Sequence, residues 1–138
     1  MDPLFQSDRK QDPFQMPALL LAYIGDAVYD LHIRVKTAGL GMTNTNKLHR
    51  EAVRYVSARN QRMAFERIRD ILDEKESAVA KRGRNAKPGT IPKNADPADY
   101  SYATALEAVI GYLFLAGENM RLQDLFNKME EEHNGTAE

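Results

Sequence analysis

The chain contains no cysteine and no tryptophan. Without thiols there is no disulfide scaffold, Cys-ligated zinc, iron–sulfur cluster or thiol nucleophile, so any chemistry must rest on oxygen and nitrogen groups. Long apolar runs are missing too. No stretch reaches the roughly 18 apolar residues of a membrane span, and the opening MDPLFQSDRKQDPF has no basic segment leading into an apolar core. A cytoplasmic protein with no membrane partner is therefore expected. Alternating β-branched runs are absent as well, which excludes a sheet-based fold. What remains, 138 residues of which 43% are hydrophobic and 28% charged, suits a single globular domain over 1–138.

Charge is nearly balanced overall but unevenly distributed. Residues 47–93 hold 13 Lys and Arg against 6 Asp and Glu, a local excess of +7, while the rest of the chain carries −8. A basic middle on an acidic chain can meet a polyanion locally while the net charge of −1 discourages indiscriminate binding. The plainer alternative is a basic helical surface that is simply solvated.

Helix start and stop signals divide the chain into about six helices, giving an all-α fold. The first is expected from Pro17 to a stop at Gly39, the second over about Lys47–Tyr55, and the third from an N-cap at Ser57 through Arg69 and Leu72. Asp73 and Glu76 form a capping-box pattern for a fourth helix to about Arg82. Residues 83–95, GRNAKPGTIPKNA, combine two Gly, two Pro and three basic residues without an acid, and read as a basic loop. Asp96-Pro97 opens a fifth helix that runs to Gly117, and Asn119 caps a sixth. Loose order is expected over 1–15 and in the acidic tail 131–138.

Two acids stand out. From Ala18 to Tyr29 the first helix is apolar or small on every face except at Asp26, and from Tyr100 to Gly117 the only charged residue is Glu107. A helix that is hydrophobic all round is usually buried, and an isolated carboxylate there must neutralise or find a partner. Each acid also lies beside a glycine, Gly25 before Asp26 and Gly111 one turn after Glu107, and glycine lets two backbones approach closely. Should the helices cross at those glycines, Asp26 and Glu107 meet in one concavity. A hard divalent cation such as Mg²⁺, which takes oxygen ligands and retains waters, is the simplest way to hold two anions together. The alternative is a pair of structural salt bridges to Arg or His from other helices.

Other constellations carry less. His32, His49 and His133 lack metal-ligand spacing, and Gly39-Leu40-Gly41 lacks the context of a phosphate-binding loop. The basic residues are more informative. Lys47, Arg50 and Arg54 fall at i, i+3 and i+7 on one helical stripe, and Lys81, Arg82, Arg84, Asn85, Lys87 and Lys93 lead into and along the loop. Such residues suit phosphate contacts, which give salt-dependent affinity with little sequence readout and fit a duplex recognised by shape.

At this point the residues resemble a known family. Tyr23-Ile24-Gly25-Asp26-Ala27-Val28 resembles the ribonuclease III signature ExxEFLGDAxL, and Glu107-Ala108-Val109-Ile110-Gly111 resembles its second block DxxEAxIGAxxLD. The short chain, without a double-stranded-RNA-binding domain, together with KRGRNAK, PKN and YATALEAVIGYLF, is similar to the Mini-ribonuclease III family in particular, over roughly residues 17–127. The resemblance implies a ribonuclease III-like endonuclease domain that works as a homodimer on double-stranded RNA with Mg²⁺. It also implies a bacterial role in maturing the ends of the 23S ribosomal RNA precursor. Asp26 and Glu107 fall on the family's catalytic and metal-binding acids, and Tyr23 falls on an aromatic position that packs across the dimer. Three familiar carboxylates are replaced, by Leu19, Ala22 and Thr104, which leaves Asp30, Glu51, Asp96 and Asp99 as candidates for further ligands.

The reading is metal-assisted hydrolysis of a phosphodiester, giving 5′-phosphate and 3′-hydroxyl ends without a protein nucleophile. A ribosomal protein is a candidate auxiliary partner. The competing class is a non-catalytic helical RNA-binding or ribosome-associated module in which both acids are structural.

Overall fold

The computed structural model describes residues 11–39, 41, 45–46, 50, 57–87, 91, 93 and 95–135. Within them lie five α-helices: α1 (Ala18–Ala38), α2 (Ala58–Ile68), α3 (Glu74–Asn85), α4 (Pro97–Leu115) and α5 (Asn119–Gly135). Short 3₁₀ turns at Pro13–Gln15 and Arg69–Ile71 precede α1 and follow α2. Residues 45, 46 and 50 are helical, while the rest of the helix expected over 47–55 lies outside the described residues.

The caps explain most boundaries. Ser57 accepts a hydrogen bond from the Asn60 amide at 3.3 Å, and Asp96 accepts from Ala98 at 2.9 Å with Pro97 in the first helical position. Asp73 and Glu76 complete the expected capping box in both directions, at 2.8 and 2.9 Å. The end of α3 departs from the sequence expectation, because the helix continues through Asn85 rather than stopping near Arg82. Gly83 reads as a helix breaker but is buried inside α3, where an added Cβ would lie 3.0 Å from the Ala105 backbone and 3.1 Å from the Ala108 side chain. The missing side chain serves close packing on α4, so the helix survives the glycine. Asn119 likewise begins α5 as a helical residue, one position later than a cap, and the positive φ at the preceding turn falls on Gly117.

Helix α4 is the axis of the domain. Ala105, Leu106, Ala108, Val109 and Ile110 are all essentially inaccessible, as expected of a helix apolar on every side. Helices α1, α2 and α3 pack around it, and α5 closes the remaining side through Leu122, Leu125 and Phe126. Each fully buried Leu or Ile contributes on the order of 1.5–3 kcal/mol, so the core is built chiefly on α4 and its neighbours. No described helix is long and apolar enough to cross a membrane.

Segment 11–16 is tied to this core. Arg82 donates to the carbonyl oxygens of Phe14, at 2.6 Å, and Met16, at 3.3 Å, and its guanidinium lies 5.0 Å from the Phe14 ring centroid. At the other end, His32 bonds Glu130 at 2.6 Å and stacks on Phe126 at 3.9 Å, joining α1 to α5.

Candidate active site

The crossing of α1 and α4 is as close as main chains allow. A Cβ added to Gly25 would sit 1.7 Å from the Glu107 carbonyl oxygen, and one added to Gly111 would sit 1.9 Å from that of Leu21. Any side chain at either position collides with backbone that cannot swing away. The contact is reciprocal and brings the residues next to both glycines to the same edge of the helix pair.

Asp26 and Glu107 therefore meet. They line one cleft of about 400 Å³ between α1, α2 and α4, together with Tyr23, Gln61, Tyr100 and Thr104. Asp26 is exposed at its mouth and Glu107 is half-buried. Burial first, then the hydrogen bond and negative charge of Asp26, push the Glu107 carboxyl up to about 8, with only Gln61, donating a hydrogen bond, pulling it down. Without a cation, the surroundings of Glu107 thus favour its protonated form.

Among the described residues no arginine or lysine lines this cleft. The carboxylates considered as further ligands are engaged elsewhere: Asp30 with Arg34 at 3.0 Å, Asp99 with Arg62 at 3.0 Å and Asp96 in its N-cap. Glu51 lies outside the described residues. Thr104 stands near the pair but donates its hydroxyl to the Tyr100 carbonyl at 2.9 Å. Among the described residues no three His, Asp or Glu are grouped as metal ligands, so the cleft offers two carboxylates and open space.

Gln61 is the functional candidate that sequence reasoning missed. It is 4% exposed, on the α2 face otherwise made of Ala64, Phe65 and Ile68. A lone amide on an apolar stripe was the available signal, the same kind that singled out Asp26 and Glu107.

The basic candidates divide into three groups. Lys81, Arg84, Asn85, Lys87 and Lys93 are exposed, the first three on α3 rather than in a loop. Arg82 turns inward to the carbonyls of Phe14 and Met16 and is a structural anchor here. Arg50 is exposed and helical, while Lys47 and Arg54 lie outside the described residues. Tyr23 projects from α1 and is 75% exposed.

Two acids facing each other in an open cleft can hold a hard cation. Comparison with known proteins places the chain in a family. The ribonuclease III domain family matches residues 19–118. The chain is 44% identical over 117 residues to Mini-ribonuclease 3 of Symbiobacterium thermophilum, covering 85% of this chain and 90% of that one. It is 46% identical over 117 residues to Mini-ribonuclease 3 of Clostridium tetani, covering 84% and 78%. A crystal structure of a Fusobacterium nucleatum protein superposes with a TM-score of 0.78 at 30% identity, over 86% of this chain and 96% of that one. The chain belongs to the ribonuclease III domain family, within its Mini-ribonuclease 3 group, and is an endoribonuclease.

Proposed function

We propose that the chain is a Mg²⁺-dependent endoribonuclease of double-stranded RNA, acting as a cytoplasmic homodimer with Asp26 and Glu107 as its metal-holding and catalytic acids. The observation that carries this reading is the juxtaposition of those two carboxyls in one open cleft with no cationic side chain among the described residues that line it. A scaffold has no use for such a pair, since each acid raises the cost of ionising the other.

The donor set fits Mg²⁺. Two carboxylates at an open cleft leave room for waters and a phosphate oxygen, in keeping with an ion that dehydrates reluctantly and uses few protein ligands. When bound, the ion supplies acidification of the attacking water and positive charge opposite the phosphorane. The chain's own part is positional. The α1–α4 crossing fixes where the two carboxylates stand, and Gln61 orients Glu107 and favours its ionised form. The attacking water forms the new P–O bond in line as the bond to the 3′-oxygen breaks, leaving a 5′-phosphate and a 3′-hydroxyl.

Two further features support the reading. Leu20, Tyr23, Ala27, Leu31 and Val35 form an exposed apolar stripe along α1, with Tyr23 75%, Leu31 57% and Val35 65% exposed. A second copy packed on this stripe buries it and pairs two single-cut sites for the two strands of a duplex. Lys81, Arg84, Asn85, Lys87 and Lys93, with Lys47, Arg50 and Arg54, supply phosphate contacts. The 23S ribosomal RNA precursor as substrate, and a ribosomal protein as helper, rest on the likeness to Mini-ribonuclease 3.

Purified protein incubated with long duplex RNA should cut it with Mg²⁺ and not with EDTA, leaving 5′-phosphate ends. Asp26→Asn and Glu107→Gln should fold, bind the duplex and fail to cut. Undiminished cutting by either variant rejects its assigned role, and binding without any cutting by the wild type leaves an RNA-binding module instead.

A further inference from the structure

Towards the C-terminal end of α2 a second depression, of about 250 Å³, opens where α2, the turn after it, α3 and α4 meet. Phe65 and Tyr102 line it together with exposed Arg69, Lys81, Arg84 and Asn85. Cations crowd a single ring. The guanidinium carbons of Arg84, Arg62 and Arg69 lie 4.6, 5.0 and 5.9 Å from the Tyr102 centroid. Arg62 is neutralised by Asp99 and Glu66, but among the described residues no carboxylate lines the depression, and Arg69, Lys81 and Arg84 have no ion-pair partner.

The Tyr102 ring draws the guanidiniums together through its negative face without cancelling their charge. The like charges of Arg69, Arg84 and Lys81, left without an acid among the described residues, are complemented by an anion that offers several acceptor oxygens. A phosphate does so, and guanidinium forks match its geometry. The walls are exposed, and exposed Lys87 lies two residues beyond Asn85, so the notch continues into a cationic surface rather than enclosing a small ion. An open, shallow grip of this kind works as one of many contacts to a polyanion.

We propose that this notch is a phosphate-binding exosite, in which Arg69, Arg84 and Lys81 hold one backbone phosphate of a duplex RNA away from the bond that is cut. Tyr102 is a positioning residue that presents the guanidiniums. The assignment rests on reading the chain as a protein that binds duplex RNA. Because α2 and α4 form walls of both depressions, a phosphate held here registers the duplex relative to Asp26 and Glu107.

Fluorescence anisotropy of the full chain with labelled duplex RNA, in EDTA to prevent cutting and over a range of salt, tests the proposal. The double variant Arg69→Gln, Arg84→Gln should weaken binding about tenfold and lower the slope of log affinity against log salt by about one. Tyr102→Phe, which keeps the ring, should bind as the wild type, and Tyr102→Leu should bind less tightly at unchanged melting temperature. An unaltered affinity and slope in the double variant overturn the exosite. Inorganic phosphate and adenosine monophosphate form the second arm. If either shifts the Arg69 and Arg84 side-chain NMR signals at concentrations as low as the duplex requires, the notch is a small-anion site and the RNA assignment fails. The nuclease reading fails separately. Duplex binding that depends on the notch, in a chain that cuts nothing with Mg²⁺, removes that reading and retains the exosite, whereas cutting with notch-independent binding does the reverse.

Discussion

Two acids of this domain are withdrawn from solvent in opposite company. Glu76 is 1% exposed, completes a capping box and receives Arg121 through bonds of 2.9 and 2.8 Å. Glu107 faces another carboxyl and receives only an amide. The first is compensated within the fold, whereas the second is left to be compensated by something that arrives. Burial alone does not distinguish scaffold from site; the sign of the nearest neighbour does.

The sharpest way to break this comparison is to mutate both sides of it. Glu107→Gln or Asp26→Asn should lower the cleavage rate by at least about 100-fold while leaving the melting temperature equal or higher, since the cost of setting one acid beside a second, desolvated one is removed. Arg121→Ala should do the converse, costing about 3–5 kcal/mol of stability by leaving Glu76 charged and unpaired, with cleavage per folded molecule retained. Denaturant titration and single-turnover cleavage on the same samples separate the two outcomes.

Next in size is the crossing itself. Gly25→Ala and Gly111→Ala should each destabilise by about 1–3 kcal/mol or more and weaken cleavage beyond the loss of folded protein, because the helices must part to admit the methyl group. Melting curves alongside activity normalised to folded fraction check this.

A third prediction concerns pH. The folded-state value for Glu107, about 8, lies above its ordinary value of 4.5, so between these limits the folded chain binds more protons than the unfolded one. Stability without metal should accordingly be greatest at or below about pH 4.5 on this account and decline as pH rises towards 8. Mg²⁺ should oppose the decline, raising the melting temperature more at pH 8 than at pH 6, and Glu107→Gln should abolish both effects. A metal-induced shift of equal size at both pH values contradicts the assignment. The smallest effect is expected at Gln61. Gln61→Ala should raise the Mg²⁺ concentration needed for half-maximal cleavage by about 10-fold and displace the pH profile upward, as loss of a group that orients a ligand does.

Much of this was legible in the chain. Asp26 and Glu107 announce themselves as lone charges on greasy helices, and Gly25 and Gly111 mark where those helices touch, because no other residue permits the contact. Caps at Ser57, Asp73 and Asp96 are local chemistry and were read locally. Gly83 was misread for a related reason: a glycine that breaks a helix and one that lets a helix pack look alike until the neighbour is known. Gln61 and the Arg69–Tyr102–Arg84 cluster were hidden because their meaning lies in what faces them from helices distant in sequence. Spacing along one helix says which residues share a side, not what stands opposite.

The paired glycines also set a tolerance. With α1 and α4 in direct main-chain contact, the distance between the helix axes at the cleft depends on the van der Waals radii of backbone atoms rather than on flexible side chains. Repacking elsewhere in the domain, by heat or by substitution, has little leverage on that gauge. The pair of acids is thus held by the stiffest component a helical protein can offer, and its span can be retuned only by changing the backbone itself.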